Sequence, residues 1–279
     1  MRLTTIRVGD GTAAGRVDAD TITVLPYADV GELLAAGPDW RERAGAAGPT
    51  RELAGADFAP LVPRPEKIVC VGVSYRDHAE EAGLAIPEYP TIFAKYARAL
   101  IGAGDEIALT PHSQAVDWEV ELGVVIGTAV RDADPDEALE AVAGYTIVND
   151  VSVRDWQLRT SQFLAGKTFE GTTPVGPFLV TPEEVDHARA LVLTCTVDGE
   201  VMQRGCTEDL VFPVARIVSF LSRIITLVPG DLIATGTPAG IGAARKPPVF
   251  LRDGQKVRCA IEGLGEQVNL CRSPAVAGA

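Results

Sequence analysis

The sequence predicts an α+β protein dominated by strands. Short apolar runs rich in β-branched residues recur along the chain, among them KIVCVGVSY, VELGVVIG and LVLTCTVDG. Runs of that length and composition suit buried strands. Two longer segments, PDEALEAVA and VFPVARIVSFLSRIITL, read as helices, the second with the apolar spacing of a buried amphipathic helix. Strands and helices do not alternate regularly. This argues against a doubly wound sheet or an α/β barrel and for mixed sheets.

The elements follow in order. TTIRVGDGTAAGRVDADTITVLP reads as a hairpin, and GELLAAG and RELAGA as short Ala-rich helices. Pro63 and Pro65 then punctuate the chain. They place a boundary between a small N-terminal domain, 1–62, and a main domain, 63–279. The small domain is too short to carry a large core alone and should pack on the main body. KIVCVGVSY opens the main body as a strand, and Asp77–Gly83 reads as a short helix ended by a glycine. TIFAK, VELGVVIG, GYTIVND, GPFLVT, LVLTCTVDG and GDLIATG suggest further strands, and QKVRCAIEGLGEQVNL a C-terminal hairpin. There is no internal repeat, and low complexity is confined to the tail SPAVAGA.

Composition excludes several function classes. The 279 residues include 38 acidic and 25 basic side chains, a net charge of −13. A nucleic-acid partner needs a basic face, so that class is disfavoured. No apolar run approaches the ~20 residues that span a bilayer. MRLTTIRVGDGT has no apolar signal core, so the chain is expected to be cytoplasmic. The five cysteines are scattered without a CxxC pair, which fits a reduced compartment rather than a disulfide or zinc scaffold.

The chemistry-bearing segment is VDWEVELGVVIG. Glu119 and Glu121 are two apart in a strand-like run, so both side chains point to one face. Two like charges on a mostly buried strand repel and are costly to desolvate. A hard cation such as Mg2+, Mn2+ or Ca2+ relieves both costs. A strong site needs a third carboxylate. Asp150, where GYTIVND emerges into a loop, is one candidate, and Asp155 and Glu170 are others. The competing reading puts Glu119 and Glu121 on the solvent face of an edge strand. The wholly apolar VVIG that continues the run weakens it.

Three further segments carry candidate groups. His78 and Glu81, in SYRDHAEEAG, share a helical face at a spacing of three. A carboxylate beside a histidine raises its basicity, as a general base requires; the plain alternative is a surface helix. Lys167 sits in AGKTFEGTTPVGPF, a loop that could present an ammonium to an anion, or simply expose a lysine. The small residues of TGTPAGIG, 235–242, could offer backbone N–H groups to a carboxylate, or form a tight turn. That segment lacks the spacing of a nucleotide P-loop. His112 and His187 read as incidental and surface residues.

Together and in this order these blocks resemble the fumarylacetoacetate hydrolase family. VGVSYRDHAEEAG, FAKYARALIGAGDEI, VDWEVELGVVIG, GYTIVNDVSVRDWQ, GKTFEGTTPVGPF and VPGDLIATGTPAGIG carry the resemblance, from Lys67 to Gly242. It implies mixed, twisted β-sheets in a β-roll, with a small N-terminal domain and a homodimeric assembly. It implies Mg2+ or Mn2+ held by Glu119, Glu121 and Asp150, with Ca2+ a possible substitute in crystals. It implies a His78–Glu81 dyad on a segment that closes over substrate, an active-site Lys167, and substrate contacts from Tyr75, Arg76, Lys95, Gln157 and Thr237. Several positions depart from the pattern. Ser74 replaces an Asn, KYARAL a KPPSAL-like run, Thr172 and Thr173 a stretch that often carries an aromatic residue, and RGCTEDLVF an NTSDMIF-like segment. All are expected near the pocket, so they bear on substrate choice.

The resemblance implies a metal-dependent hydrolase that cleaves a C–C bond in an acylpyruvate-type diketo acid such as fumarylpyruvate. His78, supported by Glu81, would deprotonate water, and Lys167 would stabilise the oxyanion as a pyruvate enolate leaves. The same enolate serves oxaloacetate decarboxylation or tautomerisation, and hydroxymuconate-type isomerisation or hydration. A non-catalytic metal-stabilised protein is the remaining alternative. It is disfavoured by the joint presence of the carboxylates, the dyad and Lys167.

Overall fold

The computed structural model describes residues 1–274, so most of the tail SPAVAGA lies outside the described residues. Strands β1 (Arg2–Val8), β2 (Gly11–Asp18) and β3 (Thr21–Val24) form a meander. Helices α1 (Val30–Ala35) and α2 (Trp40–Ala44) lead to β4 (Thr50–Glu52). Next come β5 (Ile68–Gly72), α3 (Arg76–Glu81), β6 (Thr91–Ala94) and the short strands β7 (Leu100–Ile101), β8 (Ile107–Ala108) and β9 (Val116–Asp117). The central strands β10 (Val120–Ile126) and β11 (Val142–Asn149) flank α4 (Pro135–Glu140). β12 (Ser152–Val153), α5 (Arg154–Gln157), α6 (Leu164–Lys167) and β13 (Thr173–Val180) follow. β14 (Val192–Val197), β15 (Glu200–Cys206), α7 (Val214–Ile224), β16 (Leu232–Ala234), β17 (Lys256–Ile261) and β18 (Gly265–Arg272) complete the chain.

Two mixed sheets result. The larger has 11 strands, ordered β4-β3-β2-β1-β13-β11-β10-β16-β5-β6 with β7 on β13. The smaller has five, ordered β15-β14-β17-β18-β8, and β12 pairs separately with β9. This is the expected strand-rich α+β class, and no helix among the described residues is long and apolar enough to cross a membrane.

Every residue of β10 and β11 is buried, because both faces of the large sheet are covered. The two-residue period then sorts the side chains of β10. Val120, Leu122, Val124 and Ile126 enter a core that also holds Leu193, Val257 and Ile261 of the smaller sheet. Val125 faces the other way, into a second core with Leu3, Leu33, Leu34, Trp40, Leu179 and Leu232. The N-terminal 62 residues thus contribute to a core shared with the central strands, and β1 joins the sheet through β13.

One local expectation is corrected. RELAGA is not a helix; its first two residues end β4, and a turn follows. Thr21, Ile22 and Thr23 pair with Glu52, Arg51 and Thr50, so a neighbouring strand overrides the helical preference of Leu and Ala. The helix of this region is α2, which buries Trp40.

Candidate metal centre and active site

The pairing of β16 with β10 covers Gly123, Val124 and Val125 only. Beyond Ala234 the chain leaves the ladder and runs as a loop, 235–244, beside the N-terminal half of β10. A cavity of about 490 Å3 opens there, bordered by α3, α5 and α6. Glu119 and Glu121 line it, pointing to one side of the strand as the alternation requires.

Asp150 completes the cluster. One carboxylate oxygen from each of Glu119, Glu121 and Asp150 lies within 4.8 Å of the others, and all three residues are buried. The exposed edge-strand reading is therefore excluded for Glu119 and Glu121. Asp155 and Glu170 are both exposed and pair elsewhere, Asp155 with Ser113 and Glu170 with Arg98.

Cations surround the cluster unevenly. Lys167 Nζ lies 2.6 Å from Glu119 Oε2 and 2.8 Å from Asp150 Oδ2. Lys95 Nζ lies 2.6 Å from Asp150 Oδ1. Arg154 bridges Glu119 Oε1 at 2.6 Å and Asp117 Oδ2 at 2.8 Å. Burial opposes the charge of Glu119, but Lys167 and Arg154 outweigh it and hold its carboxyl below the usual range. Burial, then Asp150 and Glu119, push the Glu121 carboxyl well above that range. Among the described residues Glu121 has no salt-bridge partner and accepts one hydrogen bond, from Gly236 N at 2.8 Å.

That imbalance is the test of whether the residues fit a cation. Asp117, Glu119, Glu121 and Asp150 face three cationic side chains, which leaves one carboxylate uncompensated. An all-oxygen donor set with surplus negative charge fits a hard divalent ion.

α3 carries the dyad. Its backbone forms one short helix from Arg76, and the 3-residue spacing brings His78 Nδ1 to 3.2 Å from Glu81 Oε2. Both side chains line the cavity. Glu81 is itself held from outside the helix, accepting from Gly240 N at 2.9 Å, and Asp77 accepts from Ala239 N at 3.2 Å.

The other anticipated residues divide. Gln157 and Thr237 line the cavity. Lys95 is fully buried behind Asp150, so its ammonium serves a cluster carboxylate rather than the open cavity. Tyr75 and Arg76 are not among the lining residues: Tyr75 is buried in the core and Arg76 is exposed on α3. Of the positions that depart from the family pattern, Ser74 reaches the cavity, whereas Thr172 and Thr173 are buried away from it. His112 is exposed, and His187 is half-buried with a positive φ of 52°.

Sequence reasoning missed Arg154, Asp117 and the aromatic wall. Arg154 stands one helical turn before Gln157 and donates to its Oε1 at 2.9 Å. Arg154 Nη2 is buried without a partner in a residue that lines the cavity, so it is available to a ligand anion. The i, i+3 pair in VRDWQ was the available signal. Phe93 and Phe163 stack edge to face with centroids 5.6 Å apart, and Lys167 Nζ lies 5.1 Å from the Phe93 ring. Nothing in their spacing announces that contact, because they come from β6 and the entry to α6.

Known proteins resemble the chain in both sequence and shape. The family described as fumarylacetoacetate (FAA) hydrolase C-terminal matches residues 67–271. A mitochondrial oxaloacetate tautomerase of Homo sapiens is 47% identical over 214 residues, which cover 76% of this chain and 68% of that protein. The structure of fumarylacetoacetate hydrolase from psychrophilic Exiguobacterium antarcticum is similar with a TM-score of 0.88 at 32% identity, covering 98% of this chain and 100% of the other. Fumarylpyruvate hydrolase from Pseudomonas aeruginosa, in complex with Mn2+ and pyruvate, has a TM-score of 0.68 at 34% identity, covering 75% and 90% of the two chains.

Proposed function

The chain belongs to the fumarylacetoacetate hydrolase family, and from that premise we propose that it moves a proton at the carbon beside the keto group of a short 2-oxo acid, interconverting the keto and enol forms of oxaloacetate. One observation carries the reading. The cavity holds a single imidazole, His78, backed by Glu81, together with Glu119, Glu121 and Lys167. A base, a cation site and an ammonium in one cavity are the parts that enolisation requires. The tautomerase relative supports the choice of oxaloacetate.

A divalent ion such as Mg2+ or Mn2+, held by Glu119, Glu121 and Asp150, supplies a Lewis acid that stabilises negative charge on a 2-oxo oxygen. The side chains do the rest. Glu81 accepts from His78 Nδ1, a tautomer assigned from the hydrogen bond, which leaves Nε2 as the base. His78 takes the C3 proton of the keto acid and returns it to the enolate oxygen, and the reverse transfer restores the ketone. Lys167 donates to that oxygen while it is charged. The unpartnered Arg154 Nη2, with Gln157 beside it, binds a substrate carboxylate.

A second reading is cleavage of an acylpyruvate. It is favoured by the similar hydrolase that holds Mn2+ and pyruvate. Here His78 would deprotonate water, hydroxide would add to the distal carbonyl, and the C–C bond would break to release a carboxylic acid and pyruvate.

The experiment follows oxaloacetate and fumarylpyruvate side by side with Mg2+ and with Mn2+. Loss of enol absorbance reports tautomerisation, and pyruvate release reports cleavage or decarboxylation. The expected result is faster tautomerisation without pyruvate, reduced about 10²–10⁴-fold by His78→Ala. Pyruvate release from fumarylpyruvate without tautomerisation of oxaloacetate would replace the first reading with the second.

A further inference from the structure

Where the ladder between β10 and β16 ends, side chains take over its hydrogen bonds. Val120 is the residue between Glu119 and Glu121. Its N–H donates to Gln203 Oε1 at 3.0 Å, and its carbonyl accepts from Thr237 Oγ1 at 2.9 Å. Gln203 Nε2 donates to Thr237 Oγ1 at 2.7 Å and to the Pro238 carbonyl at 2.8 Å. An N–H can only donate and a carbonyl can only accept, so this network fixes the orientation of the amide. Gln203 is 1% exposed. It comes from β15 of the smaller sheet, opposite Cys195.

Two residues beyond Thr237, the same loop meets α3. The N–H groups of Ala239 and Gly240 donate to Asp77 and Glu81. Glu81 is the carboxylate that holds His78. The side chain of Gln203 therefore touches the strand of the cation site and the loop on which the base dyad rests.

We infer that Gln203 is a positioning residue, which sets the placement of the His78–Glu81 dyad relative to the Glu119–Glu121 pair. The inference rests on the dyad acting as the base in the reading above. Glu119 and Glu121 have other supports: the β11 ladder, and Asn149 Oδ1 accepting from Glu119 N at 3.0 Å. The loop at Pro238 belongs to no strand ladder and is held mainly through side chains, Gln203 among them. Losing the Gln203 donors should therefore shift the dyad more than the cation site.

The test compares Gln203→Glu with the full-length parent protein. Glutamate keeps the size and the acceptor for Val120 but sets an oxygen against the Pro238 carbonyl. The expected result is a fall in kcat of about 10–100-fold, as a displacement on the order of 1 Å produces. KM should change far less, and Mn2+ affinity by calorimetry should be retained. Amide exchange, followed by mass spectrometry without substrate, should speed up in 236–243 and 76–83 together. Unchanged kcat and exchange would overturn the inference, as would a loss of turnover that saturating Mn2+ restores. Gln203→Met is measured in the same way if the glutamate variant does not fold. The exchange data do not depend on the substrate, so a wrong reaction would leave this part of the test standing.

Discussion

Glu121 is buried, and Asp150 and Glu119 add negative charge around it, which together outweigh the hydrogen bond it accepts from the Gly236 amide. Its carboxyl therefore binds a proton more readily in the folded chain than in the unfolded one. The sign for stability follows: between the ordinary carboxylate range and the raised value, the metal-free fold loses stability as pH rises. A bound cation reverses this. Glu121→Gln should keep the metal-free protein as stable as the parent at neutral pH, or make it more so, because a repulsive charge is removed. It should also abolish the rise in Tm expected of the parent with Mn2+, which reflects a stabilisation of RT ln(1 + [Mn2+]/Kd), about 2.7 kcal/mol at 100 times Kd. An unchanged Mn2+-dependent shift in a thermal melt of the variant would exclude Glu121 as a ligand. At this scale the sequence exposed the E-x-E pair, since a period of two is local information. It could not separate Asp150 from Asp155 or Glu170 without the family resemblance. It also could not show that Lys95 backs Asp150, because that contact joins residues 55 apart through the fold.

The loop 235–244 shows how an element without regular structure is held in place. Its N–H groups are taken in turn by Glu121 at Gly236, Asp77 at Ala239, Glu81 at Gly240, and Asp117 at Gly242 and Ala243. The small residues of TGTPAGIG are what allow that approach. A Cβ on Gly242 would stand 1.9 Å from the Val249 carbonyl oxygen and 2.7 Å from Asp117 Oδ1, so the backbone would have to move. Gly242→Ala should cost about 1–3 kcal/mol, as overpacking does, and should lower kcat as Asp117 and its Arg154 partner shift. A melt and a turnover number equal to the parent's would refute this account. The same segment marks the limit of reading elements from sequence. α7 and the hairpin of β17 with β18 follow from patterns within their own residues, 3.6 and 2. RELAGA failed because its partner strand β3 lies some 30 residues earlier in the chain, and local preference carries no information about that pairing. TGTPAGIG read as either an anion-binding turn or plain packing. Its amides instead meet carboxylates supplied by β9, β10 and α3.

At the scale of the molecule, the large sheet crosses the expected boundary at residue 62. The family match begins at residue 67, yet β1 pairs with β13 through Arg2, Leu3 and Thr4, opposite Val180, Leu179 and Phe178. Thr4 Oγ1 donates to the Pro177 carbonyl at 2.8 Å, and Thr5 Oγ1 to the Leu61 carbonyl at 2.7 Å. Leu3, Val30, Leu33, Leu34 and Trp40 fill the core that covers Val125, Leu179 and Leu232. Deleting 1–62 would leave the β13 edge unpaired and uncover that apolar face. Each large side chain returned to water forfeits about 1.5–3 kcal/mol, and several together exceed a typical net stability of about 5–15 kcal/mol. Exposed strand edges also template association. The fragment 63–279 should therefore aggregate on expression, or lack a cooperative melt, even with saturating Mn2+. Val125 lies on β10 four residues beyond Glu121, on the same side of the strand, so the core that the N-terminal segment completes also supports the carboxylate cluster. A soluble fragment with the parent's melting temperature and Mn2+ affinity would show that the first 62 residues are an independent appendage.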